Sequence, residues 1–174
     1  ESVAFGHITS INPTVLIIGA GNTAMDCCRS TKRIGGKDIQ VMARKPRGML
    51  KASPWELDDA EEEQVELLLC HSPTEFVVEN GRAVGMKFDQ LEYNTDKAGK
   101  LRSTKVGQVT LPCDDVILAI GQENAFPWIE RDVGIEFDEW GLPIVDRVTM
   151  QSTLEGVFFG GDAAWGPENI IWAV

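Results

Sequence analysis

Cysteine is scarce in this chain and badly spaced for metal or redox work. Cys27, Cys28, Cys70 and Cys113 form no C-x-x-C pair, so no zinc or iron–sulfur framework is encoded. All four lie in apolar surroundings and read as buried, reduced thiols, which suits a reducing, cytoplasmic location. The Cys27-Cys28 pair on a helix would point in different directions. Histidine is scarcer still. His7 has no ligand partner nearby and reads as a loop residue; His71 reads as a strand exit. No apolar run approaches the roughly 20 residues that span a bilayer, and no signal peptide is visible. Cations are in deficit: 16 Lys and Arg stand against 27 Asp and Glu, for a formal net charge of −11. That excludes a general nucleic-acid or anionic-membrane surface but leaves room for a local basic pocket. Internal repeats and low-complexity segments are absent. With 174 residues the chain can bury a real core, in one domain with an appendage. It opens at Glu1 rather than at a methionine, which reads as a fragment.

The informative stretch is Val15-Leu16-Ile17-Ile18-Gly19-Ala20-Gly21-Asn22-Thr23-Ala24-Met25-Asp26. Four apolar residues predict a buried strand, a glycine turn follows, and a helix opens. This is G-x-G-x-x-A in the strand–turn–helix context that holds a dinucleotide pyrophosphate. Gly19 permits the tight turn, Gly21 removes a Cβ from the phosphate approach, and Ala24 lets helix and strand pack closely. Helix N–H groups near Asn22 and Thr23 would face the anion, aided by the helix dipole. The helix is expected to end at Arg33 or Ile34, before Gly35-Gly36.

A second strand, Ile39 to Ala43, leads into Arg44-Lys45-Pro46-Arg47. The end of the second strand, about 20 residues after the glycines, faces the adenosine ribose in this fold. An acid there would accept from the 2′-hydroxyl of NADH; the sequence has none. Guanidinium groups grip a 2′-phosphate, so the basic turn favours NADPH.

Ser53-Pro54-Trp55-Glu56 predicts a capped helix, with Ser53 as N-cap and Glu56 reaching back. Its acids, Asp58, Asp59, Glu61, Glu62 and Glu63, read as a solvated face rather than a catalytic pair. Val65 to Cys70 predicts a third strand. From Thr74 to Leu111 the pattern turns to an antiparallel meander, with a hairpin at Asn80-Gly81 and a polar excursion from Asn94 to Lys105. Tyr93 and Lys97 have the Y-x-x-x-K spacing of short-chain dehydrogenases, but in hairpin-tip rather than helical composition. Val116 to Gly121 predicts a buried strand beside the first, with Gly121 near the nucleotide. Beyond it, Pro127 to Gly134 reads as a loop or short helix and Trp140-Gly141 as a turn. That turn leads into Leu142 to Val145; Gly156 to Asp162 reads as a short strand ending in Gly-Gly-Asp, and a helix is expected to begin in Gly166 to Ile171.

Taken together, Gly19 to Asp26, Arg44-Lys45, the Pro54 helix, Ala119-Ile120-Gly121, Trp140 to Pro143 and Gly160-Gly161-Asp162 occur in an order that resembles one family. It is the small (β) subunit of NADPH-dependent glutamate synthase and its relatives, including the NADPH/FAD part of dihydropyrimidine dehydrogenase. The resemblance implies an α/β, Rossmann-like NAD(P)H-binding domain over residues 11–121, with an inserted antiparallel meander. Residues 122–174 would return to an incomplete FAD-binding domain. It implies that Gly19, Gly21, Asn22 and Thr23 hold the NADPH pyrophosphate, and that Arg44, Lys45 and, more weakly, Arg47 hold the 2′-phosphate. Gly121 would border the nicotinamide half. Gly161 and Asp162 would contact the FAD ribityl-phosphate region, and Asn169 and Ile170 would start a helix near the flavin ring. The family's upstream FAD glycine motif and its amino-terminal iron–sulfur cysteines are absent from this chain. FAD binding and turnover would therefore need a further FAD/iron–sulfur portion, and electrons would pass to a partner such as a glutamate synthase large subunit. A direct NAD(P)-dependent dehydrogenase and a nucleotide-binding or assembly domain without activity remain the alternatives.

Overall fold

The computed structural model describes residues 2–166 and Ile171. Val15 to Ile18 are almost fully buried, and this apolar run forms strand β1 (Thr14–Ile18). A parallel strand shielded on both faces reads in this way. Around it assemble β2 (Asp38–Met42), β3 (Glu66–Leu68) and β7 (Asp115–Leu118), all parallel, in the order β3-β2-β1-β7. Register is set by Ile17, which lies between Val41 and Ile117.

The two faces of this sheet are covered differently. Odd positions Val15, Ile17, Ile39 and Val41 pack under helices α1 (Asn22–Arg33) and α2 (Pro54–Glu62), through Ala24, Met25, Cys28, Leu57 and Ala60. Even positions Leu16, Ile18 and Met42 meet Met86, Phe88, Val109 and Leu111 of a three-stranded antiparallel sheet. That sheet is β4 (His71–Glu79), β5 (Arg82–Thr95) and β6 (Leu101–Pro112). The period-2 alternation of β1 thus serves two different layers. The result is an α/β fold in which the meander stands where a second layer of helices would otherwise lie.

Arg29 on α1 binds Glu56 and Asp59 of α2 and its C-cap Glu63, at 3.3, 3.3 and 2.8 Å, and Arg33 adds Glu63 at 3.0 Å. The acidic run therefore clasps the neighbouring helix rather than facing solvent alone. Hydrogen bonding from Arg29, seconded by Arg33, holds the Glu63 carboxyl below its ordinary value. A depressed carboxylate adds stability that is present above its unfolded value and lost as pH falls through the folded one. Thermal midpoints recorded from neutral pH downward should therefore hold steady and then decline below the usual carboxylate range. Glu63→Gln should shallow that decline without removing it, because Asp89, Asp96 and Asp146 are depressed as well.

Several local expectations need correction. The predicted capping box does not form: Ser53 makes no side-chain cap, and Glu56 turns to Arg29. The third strand stops at Leu68, because Cys70 adopts a positive φ of 59° and reverses the chain. His71 is consequently the first residue of β4, not a strand exit. Its Nδ1 lies 2.6 Å from the Leu69 carbonyl, and its ring edges onto Phe88. The polar excursion is mostly paired strand, with Thr95 opposite Leu101 and only residues 96–100 left as the tip. Main-chain pairing tolerates polar side chains on a stem that has no face to bury. Cys28 and Cys113 are buried, but Cys27 and Cys70 are only half-buried; all four are free. Burial raises the Cys28 thiol to about 11.

Residues up to Gly121 form one compact unit and those from Gln122 onward a second. The second has its own small core, with Phe126, Ile129, Ile135 and Phe159 at the centre and Phe126 edge-on to Phe159. Asp138 and Asp146 pin its turns by accepting from backbone N–H groups of Trp140, Leu142, Val148 and Thr149. The short strand expected from Gly156 to Asp162 reduces to an isolated bridge of Phe158 with Gln151. A one-turn helix, α3 (Asp162–Trp165), ends at Gly166, earlier than the helix start expected there; Pro167 to Ile170 lie outside the described residues.

Candidate functional site

The carboxyl ends of parallel strands are where such sheets bind ligands, and here β1 delivers the glycine turn to that end. Gly19 has a φ of +122°, and a Cβ built on it would lie 2.2 Å from the Ala119 carbonyl oxygen. Ala119 itself is tied to β1, its N–H donating to Ile18 O at 2.8 Å. Gly19 also donates its N–H to Met42 O at 3.0 Å. The first glycine is thus locked among β1, β2 and the residue following β7.

Gly21 differs in every respect. It is the N-cap of α1 with φ −99° and ψ 177°, ordinary extended values, and nothing lies within 4 Å of its ideal Cβ position. Helical bonding begins with Ala24 N–H donating to Gly21 O. The N–H groups of Asn22 and Thr23 therefore have no partner within the helix, as at any helix start. Both residues are exposed. An anion approaching there would meet backbone donors and the positive end of a 12-residue helix.

The segment after β2 is strapped to this turn. Ala52 N–H donates to Ala20 O at 3.2 Å, and Ser53 N–H to the Asn22 side-chain oxygen at 2.9 Å. The Asn22 amide is therefore a brace between the starts of α1 and α2, which leaves its main-chain N–H for a ligand. Arg44 and Lys45 are exposed, and neither makes an ion pair among the described residues. Arg47 is different: it opens a 3₁₀ turn (Arg47–Met49), and its guanidinium is gripped by Glu61 and by Asp58, the latter at 3.1 Å. Glu61 raises its already high pKa further.

The remaining sequence-predicted residues are spread more widely. β7 ends at Leu118, short of the expected Gly121, which is exposed with a φ of +104°. In the second unit Gly161, with a φ of +57°, is the N-cap of α3, and Asn124 donates to the Asp162 carbonyl at 2.7 Å. Asn169 and Ile170 fall outside the described residues.

Sequence reasoning missed Ala119 as the wall behind Gly19; only the β1–β7 pairing brings it there. The use of Tyr93 was missed too. Its hydroxyl donates to the Arg44 carbonyl at 2.8 Å, while Lys97 lies in the hairpin tip. The Y-x-x-x-K spacing is therefore no catalytic pair. No group of His, Cys, Asp and Glu suited to a metal occurs among the described residues. A groove of about 620 Å³ lies at the opposite, amino end of β1 and β7, lined by Asn12, Thr14, Arg82, Asp114 and Asp115. Its aspartates are already used, accepting from the Asn12 and Thr14 N–H groups. No helix among the described residues is long and apolar enough to cross a membrane.

The chain is similar to several known proteins. The β subunit of an NADP(+)-dependent formate dehydrogenase from Moorella thermoacetica is 36% identical over 163 residues, 92% of this chain and 23% of that protein. The small chain of an NADPH glutamate synthase from Azospirillum brasilense is 31% identical over 185 residues, spanning all of this chain and 37% of the relative. The chain thus covers about a quarter to a third of these relatives' length. In fold it is similar to thioredoxin reductase from T. acidophilum, with a TM-score of 0.74 and 19% identity over 99% of this chain and 51% of that one. The pyridine nucleotide-disulphide oxidoreductase model matches residues 6–174. The resemblance drawn from the motifs therefore holds, and the chain belongs to the pyridine nucleotide-disulphide oxidoreductase family.

Proposed function

We propose that this chain is the NADPH-binding portion of a flavin-dependent oxidoreductase. One contrast carries the reading. Two glycines lie two residues apart; one is packed against a carbonyl and the other borders open space at a helix N-terminus. Beyond a modest N-cap preference, neither the backbone angles nor the packing of the turn demands glycine at the second position. The open side of Gly21, with the Asn22 and Thr23 N–H groups, has the chemistry of a pyrophosphate cradle. Arg44 and Lys45 would hold the 2′-phosphate, since neither makes an ion pair among the described residues. Arg47 would have to leave Asp58 and Glu61 to contribute, so its part is to pin the basic turn to α2.

When bound, NADPH supplies a hydride and FAD accepts it; the cofactors carry that chemistry. The described residues bind and orient, and none is assigned an acid, base or nucleophilic role. Gly121 would border the nicotinamide half, and residues 11–121 would be the nucleotide domain. Residues 122–174 would belong to a flavin domain. Gly161 and Asp162 would contribute one edge of its site, on the family resemblance, and the rest would come from protein outside this chain. Iron–sulfur clusters would likewise lie outside it. The names of the relatives support electron delivery to a partner subunit, with glutamate synthesis as one destination and formate chemistry as another.

Arg44→Ala tests the assignment. Loss of one charge-assisted contact to the 2′-phosphate should weaken NADPH roughly 10- to 100-fold. NADH, which lacks that group, should lose much less. Calorimetric titration with both nucleotides reads the difference, and equal losses would refute Arg44 as the reader.

A further inference from the structure

The basic turn after β2 is a loop, and loops hold a cation in position only when their backbone is held. Ala43, at its root, is bonded on both sides: its N–H donates to Leu68 O at 3.0 Å and its carbonyl accepts from His71 N–H at 2.9 Å. The far end of the loop is tied to the glycine turn through Ala52 and Ser53. Between these anchors Arg44 has one tie of its own, the Tyr93 hydroxyl on its carbonyl at 2.8 Å. That contact joins residues 49 apart in sequence.

Tyr93 is well supported for the task. It lies two residues beyond Leu91, whose N–H donates to Cys70 O at 2.8 Å and so fixes the β5 stem to the β3–β4 corner. It also lies past the part of β5 that packs on the parallel sheet, where Met86 and Phe88 are buried. The hydroxyl bond therefore secures the loop rather than the core. Among the described residues no other side chain holds the Arg44 main chain, and the Arg44 guanidinium makes no ion pair.

We propose that Tyr93 is a positioning residue for 2′-phosphate recognition, holding the Arg44 backbone so that the guanidinium is presented to NADPH and not to solvent at large. This rests on the reading of Arg44 as the 2′-phosphate ligand. The antiparallel meander thereby becomes part of cofactor selection as well as a cover for the sheet. A positioned guanidinium gives paired hydrogen bonds without first losing loop freedom, which is the advantage of preorganisation.

The test compares the full-length protein, Tyr93→Phe, Arg44→Ala and the double variant, each titrated with NADPH and NADH. Tyr93→Phe keeps the ring and removes only the hydroxyl. It should weaken NADPH about three- to tenfold, the worth of one net hydrogen bond, and leave NADH within about twofold. In the Arg44→Ala background the same change should have no further effect on NADPH, because nothing is left to position. Suppose the parent protein does not prefer NADPH, or Arg44→Ala weakens both nucleotides alike. Then the underlying assignment of Arg44 falls, and this proposal with it. Suppose instead that Arg44 behaves as assigned. Tyr93→Phe then overturns the positioning role alone if it changes neither nucleotide, weakens both equally, or keeps its full effect in the double variant.

Discussion

Gly21→Val should give a folded protein that no longer binds either nicotinamide dinucleotide. The backbone at Gly21 is extended, with φ −99° and ψ 177°, and any residue adopts it. A Cβ there meets no protein atom within 4 Å. The folding penalty is that of a poor helix N-cap, about 1 kcal/mol. The new methyl groups would stand where a pyrophosphate has to approach the Asn22 and Thr23 N–H groups. Losing two charge-assisted contacts should weaken binding at least about 100-fold, for NADPH and NADH alike. Urea unfolding beside calorimetric titration separates the two effects. A well-folded variant with unchanged affinity would remove the pyrophosphate site from this turn.

The second large effect is expected at the neighbouring glycine and is of the opposite kind. Gly19→Ala places a methyl group 2.2 Å from the Ala119 carbonyl oxygen, at a φ of +122° that side chains rarely adopt. Neither wall can retreat cheaply: Ala119 is bonded to Ile18, and Gly19 itself to Met42. Backbone strain and overlap together should cost about 3 kcal/mol or more, a large part of a domain's usual margin. The variant should therefore unfold at markedly lower urea, or fail to accumulate as folded protein. A Gly19→Ala protein as stable as its parent would mean that β7 does not close on β1 in this register. Two glycines of one motif should thus fail in two distinguishable ways, one in binding and one in folding.

Much of this follows from short-range patterns. Four apolar residues before a glycine turn make a central strand in a layered fold, because no other use of Val15 to Ile18 satisfies their burial. The pairing of β7 with β1 is legible from its apolar run, but the burial expected of that run is not met: β7 is an edge strand, and Leu118 and Ile120 are exposed. The hairpin at Asn80-Gly81 follows from residues that tolerate positive φ, with values of 50° and 77°. The basic turn after β2 is legible for a similar reason: Arg44 and Lys45 are located by counting from the glycines.

Other features depend on contacts that no local pattern encodes. Ser53 has the composition of a cap, yet its N–H is taken by Asn22, 31 residues earlier, and Glu56 is drawn away by Arg29. Arg47 has the same charge as Arg44, and only the position of α2 decides that one is gripped by Glu61 while the other makes no ion pair among the described residues. The polar stem of the meander reads as a loop because composition reports burial, not main-chain pairing. Tyr93 is the sharpest case: its spacing from Lys97 suggests catalysis, while its strand carries it to the Arg44 carbonyl. Local chain chemistry was enough to specify the central strand, the glycine turn and the charge of the loop beside it, since each rests on residues adjacent in sequence. Which glycine is walled in, which arginine is held by carboxylates and what holds the loop were decided by packing between separate elements, because a partner on another element, from 11 residues away for Arg47 to 49 for Arg44, leaves no mark on the local pattern.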